Sequence, residues 1–200
     1  MTLRIAAALL LAALTYANAQ STLKDTQGAD TSQSSCELAE DDYAVYAAVL
    51  DAILHSQKPG EDLHGKGVLI LNMTAGAGFV RARSSWGRSQ ETAVDFSAKK
   101  GDRCPLKVGF GDSESYRVIP TSEIDDLFKV PGGWKAFHQK YPNVAGFLQF
   151  SRPGFDSAHD EAFVWVVRQC GGLCGEGNLY LLGKENGRWD IRTRWRMLEF

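Results

Sequence analysis

Charge of one sign is not in excess in this chain: 22 Lys and Arg stand against 24 Asp and Glu over 200 residues, a formal net charge of −2. A nucleic-acid binder concentrates basic residues on a face or along a stripe, so this balance argues against nucleic acid as a partner. Long apolar runs are also missing. The apolar stretch Ile5–Leu14 falls short of the ~20 residues that a spanning helix needs, and no later segment is longer, so no membrane span is expected. Nothing repeats at a fixed period. No Gly-x-Ser-x-Gly elbow marks a serine hydrolase. His55, His64 and His138 stand isolated, and no helix carries His-x₃-His spacing, so neither a metal nor a cofactor is expected. Thr74-Ala-Gly-Ala-Gly78 follows an apolar strand, but the third glycine of the dinucleotide fingerprint is missing and no Gly-Lys-Ser/Thr follows.

What is present begins with the three parts of a secretory signal peptide: Arg4, the apolar run Ile5–Leu14, and the small-x-small site Ala17-Asn-Ala19. Cleavage after Ala19 removes one charged residue, Arg4, and leaves a formal charge of −3. The expected location is therefore secreted or periplasmic. Residues 20–35, rich in Ser, Thr, Gln and Asp, cannot bury enough apolar surface to order themselves and read as a flexible leader. Residues 36–200 read as one globular domain.

Four cysteines, Cys36, Cys104, Cys170 and Cys174, form an even set that in an exported chain reads as disulfides. Three pairings are open. The close pair Cys170–Cys174 suits a tight turn and leaves Cys36–Cys104. A four-thiolate metal site would use close pairs on both halves, and only one half has one.

The helical signals lie early. Ser34-x-x-Glu37 reads as a capping box, followed by Tyr43, Tyr46, Val49, Leu50, Ile53 and Leu54 at helical spacing and by the stop Lys58-Pro-Gly60. Shorter helices are expected over Ser89–Lys100, Ser122–Phe128 and Trp134–Tyr141, and strands over Gly67–Met73 and Tyr116–Ile119. From Ala145 the pattern turns to strands, with Asn186-Gly187 as a two-residue hairpin signal. The expected class is α+β: N-terminal helices packed on an antiparallel sheet that a C-terminal β-meander completes.

Ser151-Arg-x-Gly-Phe155, Ala162-Phe-Val-Trp-Val166, Cys170-Gly-Gly-Leu-Cys174-Gly-x-Gly177 and Leu181-Leu-x-Lys184-x-x-Gly187-x-Trp189 together resemble a family of exported bacterial proteins. Tyr43-x-Val-Tyr46 and Trp134-x-x-Phe137 before Tyr141-Pro142 are similar to it as well. The resemblance covers about half of the chain that follows the signal. It implies a bacterial, exported origin and implies no activity or catalytic residue.

Chemistry could sit in two places. Cys170–Gly177 holds four glycines in eight residues. Such a stretch can take positive φ values and present backbone amides to an anion, with Gly175 and Glu176 at its centre, although Glu176 would oppose an anion. The cysteine pair could instead be redox-active, though redox motifs space the thiols by two residues. The second place is the loop Ser151–Glu161. Ser151, His159 and Glu161 are candidate catalytic residues there, with Asp156 beside His159, and Arg152 could clamp a carboxylate bidentately. Trp86, in a Ser-Ser-Trp-Gly loop, is a candidate contact. Arg192, Arg194 and Arg196 share one face at strand spacing and read as a solvated face. Glu37, Glu40, Asp41 and Asp42 read as helix-dipole acids.

These observations favour a disulfide-stabilised, non-catalytic domain that binds a protein or small ligand outside the cytoplasm. The alternatives are a small exported hydrolase using the Ser151–Glu161 loop and a thiol redox protein using Cys170 and Cys174.

Overall fold

The structure is a computed structural model that describes residues 36–56, 66–83, 85–87, 89–107 and 115–199. The expected signal peptide and leader, Ser34 of the capping box, the stop at Pro59-Gly60, His64 and Phe200 lie outside the described residues. The elements run α1 (Glu40–Leu54), β1 (Gly67–Leu71), α2 (Gln90–Lys99), β2 (Tyr116–Ile119), α3 (Thr121–Phe128) and α4 (Gly133–Lys140). They continue with β3 (Val144–Phe150), β4 (Gly154–Phe155), β5 (Glu161–Gly171), β6 (Cys174–Glu185) and β7 (Arg188–Glu199). The class is α+β. No helix among the described residues is long and apolar enough to cross a membrane.

Among the described residues the strands join one 7-stranded sheet in the order β2-β1-β3-β5-β6-β7, with β4 paired to β5. The sheet is mixed. β1 pairs in parallel with both β2 and β3, whereas the pairs β3–β5, β5–β6 and β6–β7 are antiparallel. The parallel part follows from connectivity. The chain passes through α2 between β1 and β2, and through α3 and α4 between β2 and β3, and such crossovers return a strand in the same direction. The meander half is joined by two-residue turns. Asn186 and Gly187, with φ of 51° and 79°, form the turn between the paired residues Glu185 and Arg188, as expected for Asn-Gly.

Helices cover both faces of the sheet. α1 seats Val45, Tyr46, Val49 and Leu50 on Val68, Ile70, Leu148, Phe150, Val164, Val166, Tyr180 and Leu182. Each such side chain contributes ~1.5–3 kcal/mol of burial, and the Tyr46 hydroxyl donates to the Ser151 carbonyl at 3.0 Å, so its polar end is satisfied. On the opposite face α2 packs Ala93 and Phe96 against Phe163, Trp165, Leu179 and Leu181, and α3 and α4 cover Leu69, Leu71 and Phe147. Burial on both sides explains the unbroken apolar runs of β1 and β5.

The first turn of α1 is capped by Asp42, whose carboxylate accepts from the Ala39 amide at 2.7 Å. The helix therefore starts several residues beyond Ser34. Disulfides join Cys36 to Cys104 and Cys170 to Cys174. The first ties the entry of α1 to the loop after α2. The second closes the β5–β6 hairpin across the turn Gly172–Leu173, where Leu173 is 96% exposed.

A candidate ligand cleft between the first helix and the meander

The glycine-rich stretch forms no concave loop of amides. Cys174–Gly177 belongs to β6, and none of its glycines is among those with positive φ. Gly177 is there for space: a Cβ on it would overlap the Trp165 indole. Gly175 pairs with Gln169 in the ladder. The backbone groups expected to bind an anion are thus spent on sheet pairing.

The Ser151–Glu161 loop also dissolves into scaffold. Ser151 is fully buried. Its hydroxyl accepts from the Trp165 amide at 3.0 Å and donates to the Arg152 carbonyl at 3.2 Å. Glu161, 2% exposed, lies against the start of α2 and accepts from the Thr92 hydroxyl and the Ser89 amide. The Asp156 carboxylate accepts from the backbone amides of Asp160 and Glu161, closing the turn rather than orienting an imidazole. His159, at a φ of 56°, stacks on Phe155 with ring centres 4.8 Å apart. Its Nδ1 meets Asp41 at 3.1 Å. Ser151, His159 and Glu161 therefore serve three different structural tasks.

His159 and Arg152 do share a cavity, of about 470 Å³, with Asp41, Asp42, Lys99 and Lys184. Most of its charges are paired. Asp41 meets Lys184 at 2.9 Å and Arg152 meets Asp102 at 2.8 Å. Lys184, then His159, hold the Asp41 carboxyl below its ordinary range, while burial pushes that of Asp42 up. Adjacent carboxyls driven in opposite directions resemble an acid–base pair. Here Asp42 is engaged by the Ala39 amide at the start of its own helix, and Asp41 by Lys184 and the His159 ring, so Asp42 caps α1 and Asp41 ties α1 to the hairpin ends.

Trp86 is half-buried and stacks on Trp195 with ring centres 4.6 Å apart. His55 pairs with Asp51 on α1 itself, and His138 stacks on Trp134.

The arginine ladder is split rather than shared. A bulge between Leu181 and Leu182 sets Leu181 opposite Thr193 and Leu182 opposite Ile191, leaving Arg192 as the extra residue. Arg192 lies over Gly183, on the face away from α1, and meets Glu185 at 2.7 Å. Arg194 stands opposite Tyr180 and Arg196 opposite Asn178, so these two face α1. Strict alternation fails because the bulge inserts one residue.

On the α1 face this arrangement encloses a cleft of about 260 Å³. Ala52, Ile53 and Ser56 form one wall, and Val166, Arg168, Glu176, Asn178, Tyr180, Ile191 and Arg194 the other. Glu176 sits between two guanidinium groups, 3.5 Å from Arg168 and 3.4 Å from Arg196, with its side chain 13% exposed. It is thereby neutralised instead of opposing an anion. Asn178 is 3% exposed, and its Oδ1 has no hydrogen-bond partner among the described residues. A buried acceptor without a donor costs ~1–3 kcal/mol, and this one lines the cleft between α1 and β5–β7. Of these residues only Glu176 stands out as a candidate in the sequence. Asn178 stands at the head of the apolar run Leu179–Leu182, a polar residue that the sequence does not set apart from the start of a strand.

Compared with protein-family models, with curated proteins and with solved structures, the chain matches none of them.

Proposed function

We propose that the protein is an exported, non-catalytic binding domain that holds a small ligand in the cleft between α1 and β5–β7. The observation that carries this reading is the Oδ1 of Asn178, buried and unpartnered among the described residues on the cleft wall. Polar groups at such depth are almost always satisfied, and a ligand donor would satisfy this one. Apolar walls with a few convergent polar groups are the usual composition of a ligand site. The use of Ser151 and Glu161 as scaffold supports binding over hydrolysis.

Export rests on the N-terminal pattern Arg4, Ile5–Leu14 and Ala17-Asn-Ala19, and the two disulfides suit an oxidising compartment. The family resemblance points to the same bacterial compartment. N-terminal sequencing of the secreted or periplasmic protein is expected to begin at Gln20; a chain still starting at Met1 would overturn export.

Binding is tested by thermal denaturation against a small-molecule library. A ligand present at 100 times its Kd stabilises by ~2.7 kcal/mol, equivalent to ~5–10 °C for a domain of this size. Hits of that order, lost in Asn178→Ala, are expected. A library without hits, or hits indifferent to Asn178, would contradict the reading.

A further inference from the structure

The cavity of about 470 Å³ at the N-terminal end of α1 holds two polar groups that the scaffold leaves unused. The indole N–H of Trp189 and the Nε–H of Arg152 are buried and have no hydrogen-bond partner among the described residues. Both residues line this cavity, and Trp189 is 7% exposed. We infer that the cavity binds a neutral saccharide of about one or two rings. The site is separate from the cleft of the proposed function, with which it shares no described lining residue.

The two unused groups set the first requirement. Each is a donor that cannot accept, and a buried donor left without a partner is destabilising. The occupant must bring acceptors to them.

Charge sets the second requirement. Each described cation that lines the cavity already has a carboxylate. Lys99 meets Asp95 at 2.6 Å and Arg152 meets Asp102 at 2.8 Å. Asp41 takes both Lys184 at 2.9 Å and the His159 ring at 3.1 Å. An anion would find no cation of its own and would lie beside Asp41, Asp42 and the exposed Glu40. A cation would bring no acceptor to the two N–H groups. A neutral occupant meets neither objection. The ion pairs also hold these side chains in place before a ligand arrives, which favours binding.

The carboxylates set the third requirement. Asp41 spends one oxygen on Lys184 and the other on His159, and each oxygen keeps a second lone pair. The wall therefore offers acceptors beside its donors. A hydroxyl group accepts and donates at one atom, and a sugar carries several of them side by side without net charge. The C–H faces of a sugar ring suit the rest of the wall, Ala39, Ala44, Phe155 and Trp189. The volume lies within the range of small-ligand sites, about 300–1,000 Å³.

The test reads the two N–H groups directly, since indole and guanidinium Nε–H signals are resolved in ¹⁵N-labelled protein at mildly acidic pH. Methyl glucoside, N-acetylglucosamine, cellobiose and maltose are titrated. Glucuronate and glucosamine serve as charged analogues, and N-acetylglycinamide as a neutral ligand without hydroxyls. At least one neutral sugar is expected to move both signals saturably and to bind more tightly than the charged analogues and the amide. Trp189→Phe and Arg152→Lys each remove one N–H while keeping the ring or the charge. Each should weaken that sugar by about three- to tenfold, and Asn178→Ala should leave its affinity unchanged.

Equal or tighter binding of glucuronate, glucosamine or the amide would overturn the saccharide class. Sugars that bind without moving both signals, or with unchanged affinity in the folded variants, would overturn the site. Silence from every ligand would overturn both. That result comes from the wild-type protein and stands even if a variant fails to fold. None of these outcomes bears on the cleft lined by Asn178, whose own test is the loss of hits in Asn178→Ala.

Discussion

The Glu161 carboxylate accepts a hydrogen bond from the Thr92 hydroxyl at 2.8 Å and holds the Ser89 amide at 3.2 Å, fastening the start of β5 to the first turn of α2. An acid in a His-Asp-Glu loop is thus a buried strut, and it sits at a helix N-terminus, where negative charge is favoured. Glu161→Ala leaves the Thr92 hydroxyl and the Ser89 amide without this acceptor. It is expected to cost ~1–3 kcal/mol, read as a lower urea midpoint at unchanged slope. Glu161→Gln, which keeps an acceptor, should cost less. A stable variant would show that Glu161 does not serve as this strut.

Gly177 and Trp165 form a fitted pair across β5 and β6. Any Cβ at Gly177 runs into the indole ring, which belongs to the core under α2. Gly177→Ala should destabilise by ~1–3 kcal/mol through overpacking, with a change in Trp fluorescence as the ring shifts. Gly172→Ala, where a Cβ meets nothing within 4 Å, is the control and should change neither.

Asp41 and Asp42 should respond to pH in opposite senses. The Asp41 carboxyl is held below its ordinary 3.8 by Lys184 and His159. Its stabilising contribution is present above that unfolded value and is lost as pH falls through the lower folded one. Asp41→Asn should therefore destabilise near pH 7, by under about 1 kcal/mol because the pairs are solvent-screened, and converge on wild type well below pH 3.8. The Asp42 carboxyl is raised above 3.8 by burial, so folding favours its protonated form. That contribution is present below 3.8 and is lost as pH rises through the folded value. Asp42→Asn should gain on wild type as pH rises. Thermal midpoints of the three proteins between pH 3 and 7 check the divergence; parallel curves would contradict it.

The two disulfides should differ in what they are worth. On the chain-entropy account, the link of sequence separation 68 stabilises by ~4 kcal/mol and the link of separation 4 by ~2 kcal/mol. Cys36→Ser/Cys104→Ser should lower the urea midpoint more than Cys170→Ser/Cys174→Ser. Cys104 is fully buried while Cys174 is exposed, so a mild thiol should reduce the hairpin link first. Simultaneous reduction would contradict this order.

Much of the fold was legible because its signals are local. The α1 stripe, Asn186-Gly187, the short helix over Ser89–Lys100, and the close cysteine pair each depend on a few neighbouring residues. The parallel half of the sheet was not, since direction follows from how crossovers pack. Arg192 was grouped with Arg194 and Arg196 because alternation holds only in a strand without a bulge. The site was the least legible part. Ser151, His159 and Glu161 look reactive as residue types, yet burial and hydrogen bonding decide their use, and those partners lie as far away in sequence as Asp41 and Thr92. The cleft is assembled from one wall of helix and three strands, and of its residues only Glu176 stood out in the sequence, for a different role.

The most direct test of a ligand cleft under α1 is a backbone-amide NMR titration of the ¹⁵N-labelled protein with a fragment set. The account predicts saturable shifts that cluster on Ile53, Val166, Asn178, Tyr180, Ile191 and Arg194 and that disappear in Asn178→Ala. Shifts that instead cluster around Ser151, His159 and Glu161, or a set of fragments that leaves the cleft amides unmoved, would contradict it.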